Sequence, residues 1–282
     1  MYGENDTKTI NQTSLTLDVI IPCYNAQKTL IRAVKSVLQH QCVQYVWLID
    51  DGSIDNTWDQ MQRLAQSDKR IRIEKMPYNS GVAKARNWGA LQSEADLIAF
   101  LDADDAYQAG ALENAPFIFS QLAQLGGICL PLYPVDFPQQ YLDHLGFSEA
   151  WYRLCLIVAS NKVFRRRLFL ACGGYPQDML FQKFGGEDAA LMAILADCCQ
   201  IGTLFEDNLP GALHYYHSGM YAERLLMSQL ESKCDEQIAT YLPLAEQLNQ
   251  KVRLELQQIF SLFTQPKRGI CPLILTFQTE KI

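Results

Sequence analysis

Four short apolar runs recur at a near-constant interval in the first third of the chain: Leu17 to Pro22 (LDVIIP), Val46 to Asp50 (VWLID), Ile71 to Met76 and Leu97 to Asp102 (LIAFLD). Between them lie helix-like segments. Leu30, Ala33, Val34, Val37 and Leu38 fall at helical spacing, Asp55 to about Ala65 suits a helix with Asp55 as its N-cap, and Gly81 to Gln92 opens after Asn79-Ser80. A strand–helix–strand rhythm implies crossovers, and crossovers imply a parallel sheet. Ligands of such sheets bind outside the carboxyl ends of the strands. At those ends stand Pro22-Cys23-Tyr24-Asn25, Asp50-Asp51-Gly52-Ser53, Tyr78-Asn79-Ser80-Gly81 and Asp102-Ala103-Asp104-Asp105. Each polar cluster falls where the fold would place a site.

The rhythm breaks after Gly110. A helix is expected over Ala111 to about Leu125, a strand over Gly127 to Leu132, and an irregular stretch over Tyr133 to Phe147. Lys162-Val163-Phe164 reads as a strand, and Gly185-Gly186-Glu187-Asp188 opens a helix to about Asp197. Tyr221 to about Phe263 reads as mostly helical, interrupted near Pro243. With 282 residues, 49% of them hydrophobic, the chain can bury one large core with a helical appendage. The expected division is a flexible segment 1–16, an α/β domain 17–222 split at 105, and a mainly helical extension 223–282.

The net charge of -7 makes the chain a poor polyelectrolyte partner, which sets nucleic-acid binding aside. The cysteines number nine, an odd count scattered through apolar runs, and no Cys-x-x-Cys pair occurs. That pattern points to buried thiols in a reducing compartment and not to a zinc site. Met1 to Thr16 lacks the basic start and apolar core of a signal peptide, and no run of about 18 apolar residues is present, so a cytoplasmic location is expected. The Asn11-Gln12-Thr13 sequon is then a chance match.

Asp102 and Asp104 lie two apart at a strand end, so both carboxylates can converge on one face. Hard cations such as Mn²⁺ or Mg²⁺ take such oxygens and share them with phosphate. Asp51 offers an acceptor to a nucleobase imide. Lys84 and Arg86, on a helix just past a strand end, suit a diphosphate. Glu187 and Asp188 at a helix N-terminus can remove a proton from an attacking hydroxyl. His214 and His217 could complete a metal shell. Each cluster alone also fits a capped turn, a solvated helix face or an ordinary hydrogen-bonded histidine.

Their order is more specific. Asp18-Val-Ile-Ile-Pro-Cys-Tyr-Asn25, Ile49-Asp-Asp-Gly-Ser53, Asn79-Ser-Gly-Val-Ala-Lys-Ala-Arg-Asn87 and Leu101-Asp-Ala-Asp-Asp105 together resemble the family 2 glycosyltransferases of GT-A fold. Phe164-Arg165-Arg166 through Gly173-Gly174-Tyr175 to Glu187-Asp188, and then His217-Ser218-Gly219-Met220, continue the similarity over about residues 17 to 222. The resemblance implies a GT-A, Rossmann-like, mostly parallel sheet flanked by helices. It implies inverting transfer of one sugar from a nucleotide sugar, most often a UDP-sugar, to a saccharide or lipid-linked acceptor. Pro22, Tyr24, Asn25 and Asp51 would contact the nucleotide, with Lys84 and Arg86 near base or phosphates. Asp102 would face ribose or metal and Asp104 would ligate Mn²⁺ or Mg²⁺. Asp188, with Glu187 beside it, would be the catalytic base. His217 would be a further metal or diphosphate contact, with His214 as its substitute.

The chain departs from many relatives in lacking an Arg in the helix after Glu187-Asp188, and it has no Gln-x-x-Arg-Trp of processive members. Phe137 to Leu156 is unassigned and is expected to shape the acceptor pocket. Leu225, Leu226, Leu230, Val252, Leu254, Ile259 and Phe260 are expected to pack on the core or on another chain, which leaves room for a homo-oligomer. Cys271 to Phe277 is a candidate exposed strand or interface. A peripheral membrane contact fits a lipid-linked acceptor, although no basic amphipathic face marks it. Two competing readings are a nucleotidyltransferase and a GT-A module that binds a nucleotide sugar without turnover. The first needs a Gly-rich loop after strand one, where Tyr24-Asn25-Ala26 stands. The intact Asp102, Asp104 and Asp188 argue against the second.

Overall fold

A computed structural model describes residues 15–206, 208–230, 236–260 and 268–275. Most of the segment expected to be flexible, 1–14, lies outside them. The first half alternates as the periodicity predicts: β1 (Leu17–Cys23), α1 (Leu30–Leu38), β2 (Val43–Asp50), α2 (Thr57–Ser67), β3 (Ile71–Lys75), α3 (Val82–Gln92) and β4 (Leu97–Phe100). Every residue of β1 is buried, as a central strand covered on both faces must be. Val19 and Ile21 enter one apolar cluster and Ile20 the other, so successive side chains feed the two layers. In α1, Leu30, Ala33, Val34 and Val37 form the buried stripe.

The second half follows as β5 (Ala106–Tyr107), α4 (Ala115–Gln121), β6 (Leu125–Cys129), β7 (Leu132–Val135), α5 (Gln139–Leu142), α6 (Phe147–Ile157), a single 3₁₀ turn (Ala159–Asn161), β8 (Lys162–Arg165) and α7 (Arg166–Ala171). Then come α8 (Met179–Phe184), α9 (Glu187–Cys198), β9 (Gln200–Thr203), β10 (Ala212–Tyr215), α10 (Tyr221–Leu230), α11 (Glu236–Phe260) and β11 (Gly269–Pro272). The large sheet runs β11-β9-β6-β8-β4-β1-β2-β3, and only β8 is antiparallel to its neighbours. A small sheet, β5-β10-β7, stands beyond the end of β4. This is the mostly parallel, helix-flanked α/β architecture that the resemblance implies.

Several local expectations are corrected. The helix expected from Ala111 begins at Ala115, because Pro116 lacks an N–H and fits only a first helical turn. The strand expected over Gly127 to Leu132 is two strands in two sheets, broken at Pro131, which cannot donate to a ladder. The stretch expected to be irregular holds α5 and the start of α6, whose Ala150, Trp151, Leu154 and Cys155 are buried. The Trp151 indole donates to Leu132 O at 2.8 Å and meets Phe137 edge-on at 5.1 Å. That contact is tertiary, so no local period announces it.

Pro243 lies inside α11 and does not end it. The segment after 222 joins the domain. Leu226 and Leu256 are buried, Arg253 pairs with Asp197 of α9 at 2.6 Å, and β11 lies parallel to β9 at the sheet edge. Leu254 is exposed, whereas the sequence reading has it packing; the side chains of Leu225, Ile259 and Phe260, and residues 276–282, lie outside the described set. Among the described residues, no helix is long and apolar enough to cross a membrane.

Candidate active site

Three strand-to-helix loops are tied together at the carboxyl edge of the sheet. Asn25, at φ 50°, accepts from Ile54 N through its side chain, and its own N–H donates to Ser53 Oγ at 3.0 Å. Gly52 sits at φ 72°, and a Cβ there would lie 2.5 Å from Asn79 N, so only glycine lets the second loop approach the third. Asp51 completes the tie: its two oxygens accept from Ser80 N at 2.7 Å and Gly81 N at 2.9 Å. Burial pushes the Asp51 carboxyl up, against the pull of these two N–H groups. The Asp51 carboxylate is buried and anchors the start of α3.

A cavity of about 930 Å³ opens beside these loops. Its wall contains Pro22, Tyr24, Asn25, Lys84, Arg86, Asp102, Asp104, Glu187, Asp188, His214 and His217, so it gathers every site residue expected from the sequence except Asp51. Leu154, Ile157 and Val158, at the end of α6 and just after it, supply an apolar wall. Of the segment 137–156, Leu154 reaches this cavity; Ile157 and Val158 follow it.

Arg86 is the centre of the charged floor. It is buried on α3, and its guanidinium reaches Asp102 Oδ1 at 2.6 Å, Asp188 Oδ1 at 2.9 Å and Glu187 Oε1 at 3.4 Å. Its Cζ stands 5.1 Å from the centre of the Tyr175 ring. The guanidinium is thus held by carboxylates and not aimed at open space for a phosphate. Burial opposes its charge, but Asp102 and Asp188 hold it firmly protonated. Burial alone would raise Asp102, yet Arg86 keeps that carboxyl below its usual range. Asp188 has the opposite balance: burial pushes it up to about 7 despite Arg86. A carboxylate titrating there is matched to taking a proton near neutral pH. It sits in the first turn of α9, after Gly185 and Gly186 at positive φ, and Oδ2 accepts from Ala159 N at 3.3 Å.

On the other side, Asp104 Oδ2 lies 3.1 Å from His217 Nε2. Burial, then Asp105 and Asp102, push Asp104 up to about 6. His214 is buried, its Nδ1 is 2.8 Å from Asp105, and its Nε2 has no hydrogen-bond partner among the described residues. A carboxylate behind an imidazole whose other nitrogen is free is the arrangement that orients a metal-ligating histidine. Among the described residues, no three His, Cys, Asp or Glu form a ready cage. A cation that borrows oxygens from a bound diphosphate needs fewer protein ligands, and Asp104, His217 and the free nitrogen of His214 suit that role chemically.

Several participants were not singled out from the sequence. Arg32 of α1 donates to the Asp104 carbonyl and stacks 3.5 Å from the centre of Tyr215. Ser160 Oγ accepts from Asp102 N at 3.1 Å. Asp105, the last residue of the Asp-Ala-Asp-Asp run, anchors His214 and Tyr215 N. The doubled aspartate was a signal for Asp105; nothing local marked Arg32 or Ser160.

The model for glycosyl transferase family 2 matches residues 18–115. Residues 18–115 belong to that family. The same part aligns with the Escherichia coli UDP-Glc:alpha-D-GlcNAc-diphosphoundecaprenol beta-1,3-glucosyltransferase WfgD, 38% identical over 98 residues, covering 34% of this chain and 38% of WfgD. It also aligns with the putative teichuronic acid biosynthesis glycosyltransferase TuaG of Bacillus subtilis, 37% identical over 99 residues, covering 35% and 39%. The chain thus spans about two fifths of the length of these curated relatives. The S. aureus TarS 1-349 structure with UDP superposes with a TM-score of 0.56 at 19% identity, covering 89% of this chain and 76% of that one. That likeness shows the same GT-A, mostly parallel α/β fold over the second half as well.

Proposed function

We propose that this protein transfers a single sugar, with inversion, from a nucleoside-diphosphate sugar, most simply a UDP-sugar, to a hydroxyl of a saccharide or lipid-linked acceptor. One observation carries the reading: Asp104 and Asp188 line the same cavity, with Arg86 binding Asp188 to Asp102 between them. Asp188 takes the acceptor proton, because its carboxyl titrates near neutral pH and lies in the wall. Arg86 holds that carboxylate in place while neutralising Asp102. Tyr24, Asn25 and Lys84 line the nucleotide side. Asp104 and His217, with His214 behind them, would hold Mn²⁺ or Mg²⁺. That ion supplies Lewis-acid stabilisation of the departing diphosphate. A base on one face of the sugar and the leaving group on the other favour in-line displacement.

The relatives support the donor and acceptor classes: WfgD is named for UDP-Glc and a diphosphoundecaprenol-linked GlcNAc, and TarS has been crystallised with UDP and with UDP-GlcNAc. The eight described cysteines are free thiols, which suits a reducing, cytoplasmic setting. The test is a UDP titration with and without Mn²⁺. Binding is expected to strengthen with metal and to lose that dependence in Asp104→Ala. Asp188→Asn is expected to bind donor normally and transfer nothing. Metal-blind UDP binding would remove the cation from this reading, and retained turnover in Asp188→Asn would remove the base.

A further inference from the structure

Lys162 is a buried lysine with no carboxylate in hydrogen-bonding reach among the described residues. It opens β8 and is 1% exposed. Its Nζ donates to Cys155 O at 2.8 Å, to Val158 O at 2.8 Å and to the side-chain oxygen of Asn161. These three oxygens only accept and so favour the triply protonated nitrogen, while burial pushes its pKa down and the Cys129 thiol lies against it. Burying such a charge is costly, and it is rare without a demand from its surroundings.

The demand lies in the backbone it gathers. All three acceptors belong to the segment 155–161, the end of α6 and the 3₁₀ turn that leads into β8. From this segment Ala159 N donates to Asp188 Oδ2 at 3.3 Å, and Ser160 Oγ accepts from Asp102 N at 3.1 Å. Asn161 is itself pinned, donating through Nδ2 to Leu130 O at 2.6 Å and to Cys155 O at 3.0 Å. The ammonium therefore fixes a turn that touches both Asp188 and the backbone of Asp102.

We propose that Lys162 is a positioning residue for sugar transfer: its ammonium clamps the 155–161 segment so that Ala159 and Ser160 hold Asp188 and Asp102 in register. This rests on Asp188 being the base. The charged and titratable groups facing Asp188 are Arg86 from α3, Glu187 beside it on α9, Asp102 after β4, Tyr175 after α7 and Lys162 from β8. Arg86 and Lys162 are the two cations of that set. Loss of Lys162 leaves Arg86 in contact and removes the other cation that favours the ionised carboxylate.

The test compares Lys162→Met and Lys162→Gln with wild type and Asp188→Asn, using the full chain and checking folding by thermal melting. Glutamine keeps two donors without the charge, so it reads the proposal if the methionine variant does not fold. UDP affinity is expected to stay within about twofold, because the side-chain hydrogen bonds of the turn go to Asp188 and Asp102 and not to Tyr24 or Lys84. The kcat is expected to fall tenfold or more, with KM for donor little changed. The acid limb of the pH profile is expected to move to higher pH. A folded variant with wild-type kcat and an unmoved limb overturns the proposal. If Asp188→Asn remains active, the assignment of the base fails instead, and the two failures are thereby separated.

Discussion

Arg86 Nη2 lies 2.6 Å from Asp102 Oδ1, and the same guanidinium reaches Asp188 at 2.9 Å from Nη1. These two carboxylates come from opposite halves of the domain, one after β4 and one at the start of α9. Their shared cation joins the family-matched half to the half that the family model does not reach.

Arg86→Met is expected to destabilise the fold by about 3 kcal/mol at neutral pH, near the lower end for breaking a buried pair, since Asp102 and Asp188 keep partial solvent access. Urea unfolding would measure it. The deficit should shrink in acid, where the abandoned carboxylates protonate and their mutual repulsion ends. An unchanged midpoint would mean that the burial cost of the guanidinium cancels its Coulomb gain.

The pH dependence follows from Asp188. With Asp188 as the proposed base, only its ionised form would support transfer, so kcat/KM should rise about tenfold per pH unit on the acid side and level off above about 7. The stability linkage has the opposite sense. A carboxyl raised from its ordinary value contributes most below that value and loses its contribution as pH rises through about 7. Asp102, held low by Arg86 against its burial, contributes above its ordinary value and loses that contribution in acid. A rate limb near pH 4 would show an ordinary solvated carboxylate and remove the buried-base argument.

Glu223 holds the loop that carries His217. Its carboxylate accepts from Tyr216 OH at 2.7 Å, Tyr141 OH at 2.9 Å and Gly219 N at 2.8 Å. Glu223→Ala should release that loop and weaken metal-dependent UDP binding about tenfold, while metal-free binding changes little. Glu223→Gln, which keeps an acceptor oxygen, should recover much of the difference. Equal losses with and without metal would point to a general effect on the domain.

The alternation of β1 to β4 with α1 to α3 was legible because each element buries a periodic face, and period is a property of the sequence. So was the gathering of Tyr24, Asn25, Lys84, Asp102 and Asp104, since strand ends of a parallel sheet share one edge. Asp188 and His217 were reached through motif order. Pro116, Pro131 and Pro243 show the local limit: the first set a helix start, the second split a strand, and the third was absorbed in a helix.

What the sequence determined, then, is the strand–helix rhythm and the identity of the polar residues at its edge. What only the tertiary structure decided is their pairing. Arg86 reads as a phosphate ligand until α9 brings Asp188 to it, and Lys162 reads as a strand residue until the 155–161 turn closes over its ammonium. Both outcomes depend on partners distant in the chain, or on the shape of a turn, and on desolvation that exists only once the core has formed.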